Sequence, residues 1–320
     1  MQVSSNKIVS VVIVAGGIKG YLESCLDSLE KQTYKKLEVV VIDNSLNRDF
    51  SRQIAGRFPR VRLYSEPKNI FYAGALNKGI NVSGGDFILC LNDDVVLDGR
   101  FIQEALRGFD AADSVGMVCG RILRSDGKTI DSTGLFLSLW RTAKERGYGI
   151  KDRGRHICPG HVFGAGGAAA FYRRSMLEKI KCGPEYFDPD FRMFYEDLDV
   201  AWRANLFGWK GFYVPSAVAY HIRGGTARQG PGINKPFARR YLSDELLSDL
   251  VKNRYLTIIK NESVPGFILH LPFILAYDIF AFAYLLIFKP GVLKRIFLNL
   301  KYLKSALDKR TILNSRRRQC

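Results

Sequence analysis

Two carboxylate clusters and one histidine stand out along this 320-residue chain as side chains able to do chemistry. Asn92-Asp93-Asp94 directly follows the apolar run Phe87–Leu91. Adjacent carboxylates at a strand end repel one another. A hard divalent cation shared with a substrate phosphate relieves that repulsion, since Mg2+ and Mn2+ take oxygen ligands and keep positions open for substrate. The same tripeptide also makes an ordinary Asn/Asp turn. Glu196-Asp197, with Asp199, opens a helical pattern ahead of Trp202-Arg203. A carboxylate there can serve as a general base at the mouth of a cleft, or it can simply complement the helix dipole. His221 follows an extended segment and precedes Arg223-Gly224-Gly225, as either a metal ligand or a structural group.

The elements that must position these residues can be read from periodicity. Ile8–Val14, Leu37–Ile42, Val61–Tyr64 and Phe87–Leu91 are short apolar runs of the kind buried on both faces of a parallel sheet. Tyr21–Lys31 places Leu22, Cys25, Leu26 and Leu29 on one helical stripe, and Tyr72–Val82 also reads as a helix. Strands alternating with helices predict an α/β fold with a mostly parallel sheet, whose ligands gather at the strand carboxyl ends. Asp43 and the Asn92–Asp94 cluster both lie there. Beyond Gly116 the pattern becomes irregular. Gly164–Gly167 reads as a loop entering the strand Ala168–Tyr172, Glu196–Phe207 as a helix closed by Gly208, and Phe212–Val214 with Ala217–His221 as extended chain. A basic loop spans Arg223–Pro236, and Tyr241–Lys260 is helical up to a break at Pro265-Gly266.

Composition bounds the class. With 47% apolar and 25% charged residues, the chain is neither disordered, nor collagen-like, nor a polytopic membrane protein. Its net charge of +17 points to a polyanionic partner, a nucleic acid or an anionic membrane. Residues 289–320 hold ten Lys/Arg against Asp308 alone, so +9 of the excess belongs to the tail. No recognition-helix or RNA-binding pattern accompanies it, and no nucleic-acid partner is expected. The six cysteines form no CxxC pair and no zinc-finger spacing, which fits reduced cytosolic thiols. Met1–Lys7 is polar and lacks the layout of a secretory signal.

Gly266–Phe288 is long and apolar enough to span a bilayer, yet it contains His270, Pro272 and Asp278. A central Asp costs about 2.5–3.5 kcal/mol on insertion scales. The following tail is basic and helix-periodic through Val292, Ile296, Phe297, Leu300 and Leu303, as in helices that lie in the headgroup plane. Interfacial attachment is the expectation, with spanning, or a soluble helical subdomain or homo-oligomer contact, as alternatives.

The order of these segments resembles the family 2 glycosyltransferases with the GT-A fold, especially the rhamnosyltransferase-like bacterial members of cell-surface polysaccharide pathways. The resemblance covers about residues 7–260. It rests on Val9–Val14 with Tyr21-Leu22, Cys25-Leu26, Ser28-Leu29 and Gln32-Thr33-Tyr34; on Val41-Ile42-Asp43-Asn44; on Asn69 through Ile80 and Leu91-Asn92-Asp93-Asp94. Its most specific part runs from Phe187-Asp188 to His221.

The resemblance implies a GT-A nucleotide-diphospho-sugar transferase domain over 1–260, with helices flanking the central sheet, and a helical membrane-attachment region over 261–320. It implies that Asp43 bonds the nucleotide base and that Asn69, Asn77, Asn92, Asp93, Gly166 and Gly167 line the nucleotide-sugar site. Asp94 and His221 would hold Mg2+ or Mn2+. Asp197 would be the catalytic base, with Glu196 beside it, and Arg223 or Arg228 would face the diphosphate. The expected reaction is inverting transfer from a dTDP- or UDP-sugar to a glycan or lipid-linked acceptor, at the cytoplasmic face of an anionic membrane, by a peripheral or monotopic enzyme. Inversion needs a single displacement and no covalent intermediate, and no activated Ser or Cys is evident. Two departures stand against the pattern: Ala15-Gly16-Gly17 replaces an Asn-Tyr-Asn-like stretch, and Phe71 replaces a common Gly. They leave a catalytically silent nucleotide- or glycan-binding scaffold of the same fold as the competing expectation.

Overall fold

The computed structural model describes residues 7–17, 20–154, 156–223 and 242–318. Its first half alternates strand and helix: β1 (Val9–Ala15), α1 (Tyr21–Glu30), β2 (Leu37–Asp43), α2 (Arg48–Arg57), β3 (Arg62–Ser65), α3 (Phe71–Asn81), β4 (Phe87–Asn92), β5 (Val95–Leu97) and α4 (Phe101–Gly108). Then come β6 (Val115–Arg124), β7 (Ile130–Ser132), β8 (Leu135–Leu137), β9 (Ala143–Glu145), β10 (Gly160–Val162), β11 (Ala169–Arg173), α5 (Arg174–Ile180), α6 (Glu196–Leu206) and β12 (Lys210–His221). Four helices follow: α7 (Asp244–Asn261), α8 (Val264–Phe288), α9 (Pro290–Leu298) and α10 (Tyr302–Arg318).

Among the described residues one mixed sheet runs β10-β12-β6-β11-β4-β1-β2-β3, with β5 on β12 and β7 on β6. β1 pairs in parallel with both β2 and β4, whereas β11 is antiparallel to β4 and β6. All seven residues of β1 are buried, because successive side chains enter opposite cores. Val11 and Ile13 pack with Leu22, Leu26 and Phe101 on one face. Val12 and Val14 pack with Leu76, Ile80 and Met176 on the other. Three helices, α2, α4 and α5, go unread in the sequence periodicity. α2 buries only Phe50 and Ile54, and starts where the Asn47 side chain accepts from the Asp49 and Phe50 amides; α5 is only seven residues long. The break expected at Pro265-Gly266 is instead the first turn of α8, capped by Ser263, where proline's missing N–H costs nothing. The five described cysteines are all free thiols.

α8 lies antiparallel along α7. Lys289, just past the end of α8, meets Asp244 at the start of α7 at 3.2 Å. In mid-helix Asp278 accepts from Arg254 at 2.6 Å, and His270 contacts Arg141 at 2.8 Å. The polar residues of α8 thus face the protein. Its outer face carries Leu269, Phe280 and Ile287, each about 70% exposed or more. α10 then returns to the body: Lys309 bonds Asp188 and Asp190, Arg310 reaches the Ile259 carbonyl, and Arg316 those of Lys181 and Glu178. With Lys289, four of the ten tail cations are committed to protein partners. The sequence places that charge against a membrane; three of these cations, Lys309, Arg310 and Arg316, instead fasten α10.

Candidate functional site

The parallel register puts Ala15 beside Asp43 and Val14 beside Asn92, so three strand ends open at one edge. There the amide of Gly16 donates to Asp93 Oδ2 at 2.9 Å. Gly17 has φ +79, and a Cβ on it would fall 2.4 Å from that of Ser45. The unusual Ala15-Gly16-Gly17 stretch therefore lets backbone, rather than side chains, close on the acidic motif. Buried Asp43 accepts from the Ser45 amide at 2.9 Å and from the Ser51 hydroxyl. Asn44 bonds Asn69 at 2.8 Å, and Asn69 accepts from the Phe71 amide. Phe71 itself has φ +58, a conformation that favours glycine, with the Arg192 guanidinium 4.5 Å over its ring.

Asp93 is pushed up to about 6, chiefly by burial and further by Asp94, with the Gly16 amide opposing. Asp94 lies 3.2 Å from His221 Nε2, while His221 Nδ1 meets Asp131 at 2.8 Å. Burial would lower the imidazole, but hydrogen bonds to Asp131 and Asp94 carry it up to about 9. Arg223 donates to the other Asp131 oxygen at 2.6 Å. Asp131, on the short strand β7, had no distinguishing signal in the sequence. With the Nε2 proton displaced, Asp94 and His221 would offer one oxygen and one nitrogen at one point, a set suited to a cation completed by substrate phosphate. No group of three or more metal-ligating side chains is preformed among the described residues. Arg228, expected near the diphosphate, lies outside the described residues.

The second wall is Gly166-Gly167 and the start of α6. Arg192, Phe194 and Tyr195 have φ of +60, +71 and +70, an accumulation of disfavoured backbone immediately before Glu196. Asn253 of α7 holds this turn, donating to the carbonyls of Phe191, Met193 and Phe194 at 2.7–2.8 Å. Asp197 accepts from the amides of Gly167 at 2.9 Å and Leu198 at 2.7 Å. Burial raises both Glu196 and Asp197, and Asp197 adds to the rise at Glu196. The two amides favour charge on Asp197, whereas Glu196 Oε2 is buried without a hydrogen-bond partner. The pair holds one negative charge most readily, on Asp197.

Tyr72 ties the two walls together, donating to Asn92 Oδ1 at 2.7 Å with its hydroxyl 3.3 Å from the Gly167 carbonyl. Asp43, Asn92, Asp93, Asp94, His221, Gly166, Gly167, Glu196 and Asp197 thus belong to one edge of the sheet. Asn77 has another employment: its amide is bonded to the backbone of Tyr186 and Phe187. Asp199 also turns away, into a buried knot with Arg203, Lys260 and Asn261. Glu145, at the end of β9, went unnoticed in the sequence and stands against Gly166.

The model of the family described as Glycosyl transferase family 2 matches residues 10–181, more than half of the chain. The chain belongs to this family. A curated relative, the N-acetylglucosaminyl-diphospho-decaprenol L-rhamnosyltransferase of Mycobacterium tuberculosis, is 25% identical over 246 residues, 70% of this chain and 79% of its own. Several other curated glycosyltransferases match over only 23–37% of their own length. Among solved structures, S. aureus TarS 1–349 with UDP-GlcNAc superposes with a TM-score of 0.58 at 14% identity, covering 98% of this chain and 92% of that one. GalNAc-T7 with UDP, GalNAc and Mn2+ gives 0.58 at 15%, covering 81% and 52%. This family 2 chain therefore has the GT-A architecture expected from its sequence.

Proposed function

We propose that this family 2 glycosyltransferase moves a sugar from a nucleotide diphosphate to an acceptor hydroxyl with inversion. The observation that carries the reading is Asp197, pinned by two backbone amides at the edge that also holds the Asn92–Asp94 motif. A carboxylate so fixed takes the acceptor proton while the hydroxyl attacks the anomeric carbon, and the nucleoside diphosphate leaves from the opposite face. Asp94 and His221 would hold a divalent cation, which supplies charge neutralisation for the departing diphosphate; Mn2+ in GalNAc-T7 supports this assignment. Arg223 stands behind His221, sharing Asp131. The UDP-containing neighbours support a UDP-sugar donor, and a dTDP-sugar is the second donor of the proposal.

The acceptor we assign is lipid-linked, as the relative's name states for its own substrate. An apolar cavity of 510 Å³ lies between α7 and α8 and reaches Tyr195, the residue that precedes Glu196. Its size suits part of an apolar ligand. Both ends of α8 rest on the catalytic body, which favours a helix lying along the cytoplasmic membrane face over one that crosses. The test is a donor panel of UDP-glucose, UDP-N-acetylglucosamine and dTDP-rhamnose, followed by thermal shift and hydrolysis with and without Mn2+. Metal-dependent hydrolysis and an inverted product anomer are expected. Metal-dependent binding of a donor without turnover on any donor or acceptor would instead favour the silent scaffold.

A further inference from the structure

Glu145 sits where the proposed mechanism has no task for it. A Cβ on Gly166 would lie 2.7 and 2.9 Å from its two carboxyl oxygens, so the carboxyl occupies the space a side chain at 166 would fill. The Ser132 hydroxyl donates to Oε2. On the next residue of the same strap, the Gly167 amide bonds Asp197. Two carboxyl groups therefore flank two consecutive glycines. As whole residues, Glu145 and Asp197 are both half-buried. The hydrogen bond Glu145 makes is with Ser132, through Oε2.

We propose that Glu145 binds a sugar hydroxyl of the reacting pair, across the Gly166-Gly167 strap from the catalytic base. The assignment rests on the glycosyl-transfer reading above. The groups facing Glu145 are Ser132 and Asp131 from β7, Asp197 from α6 and Arg223 beyond β12. Burial first, then Asp197, pushes the carboxyl up to about 8, with Ser132 and Arg223 opposing. Near neutrality it carries its proton: one oxygen accepts from Ser132, and the other group, O–H, donates to the sugar. A neutral donor can stand close to an anionic base without raising that base's proton affinity, as a second anion would. The glycine at 166 leaves room for the carboxyl.

Glu145→Gln and Glu145→Ala separate this role from a structural one, measured with whichever donor the wild type hydrolyses and with an octyl glycoside acceptor. Glutamine keeps a neutral donor, so kcat/KM at pH 7 is expected to stay within about threefold of wild type, while alanine loses tenfold or more. The wild-type rate is expected to fall above about pH 8 as Glu145 ionises beside Asp197, and glutamine should flatten that limb. A KM rise in acceptor-free hydrolysis assigns the donor sugar; one confined to transfer assigns the acceptor. Wild-type kinetics in Glu145→Ala, equal losses in both variants, or an unchanged alkaline limb in Glu145→Gln would each overturn the proposal. Failure of the wild type to hydrolyse or transfer from any donor would instead overturn the glycosyl-transfer reading itself.

Discussion

The Gly167 amide lies 2.9 Å from Asp197 Oδ2, so the proposed base is oriented by main chain from a different element. Asparagine keeps a single acceptor oxygen for the two amides that Asp197 Oδ2 and Oδ1 now serve, so Asp197→Asn removes the base together with one of its hydrogen bonds. The variant should fold with a lowered melting temperature, one buried amide being left unmet at about 1–3 kcal/mol, and lose about 10²–10⁴-fold in kcat, while binding donor nucleotide as before. Calorimetry with UDP and a transfer assay test the two halves. Turnover at the wild-type rate would remove Asp197 from the mechanism.

A second prediction concerns Asn253, which donates to three carbonyls in the turn that aims α6. Asn253→Ala strands buried acceptors and releases backbone already held in disfavoured conformations. A loss of about 2–4 kcal/mol in unfolding free energy is expected, with kcat falling more than donor KM rises. Urea melts and steady-state kinetics on the same preparation measure both. A variant that is destabilised but kinetically normal would show the turn to be held by other contacts.

Stability should also depend on pH through Glu145. Its folded pKa of about 8 lies above the ordinary 4.5, so the folded state binds the proton more tightly than the unfolded chain. The contribution is full below about pH 4.5 and declines as pH climbs towards 8. Melting temperature across that window should therefore fall less steeply in Glu145→Gln than in wild type. Parallel slopes would place the titration elsewhere.

The outer face of α8 yields a fourth prediction. Replacing Leu269, Phe280 and Ile287 by Ser removes apolar surface that is already in solvent, so fold and donor binding should persist while flotation with anionic liposomes is lost. Each buried side chain is worth about 1.5–3 kcal/mol, so three are sufficient to change partitioning by orders of magnitude. Retained flotation in the triple variant would locate membrane affinity elsewhere, for instance in the tail cations.

Much of the site was legible because parallel strands end together. Asp43 and Asn92-Asp93-Asp94 could be assigned to one edge from apolar runs alone, and Asp197 and His221, candidates by residue type, take their expected roles from the family resemblance. Asp131 and Glu145 could not be found this way. Each sits on a three-residue strand, too short for periodicity, and reaches its partners through pairings distant in sequence. Asn77 shows the converse. Its position in a recognisable motif suggests ligand binding, whereas its amide matches the backbone N–H and C=O groups of buried Tyr186-Phe187, which nothing local in the sequence announces. Asp199 was grouped with its neighbours by sequence, but lies 0% exposed, because two residues along a helix turn a side chain to a different face.

The return of α10 to the body has a consequence for biosynthesis. Its contacts with Asp188, Asp190 and the Ile259 carbonyl cannot form until residues 302–318 have left the ribosome, well after α8 has emerged. At synthesis rates of about 5–20 residues per second, the apolar helix spends a second or more without the clasp that follows it. The sheet, α7 and α8 are thus complete before α10 closes on Asp188 and Asp190, and the order of synthesis itself sets when that fastening forms.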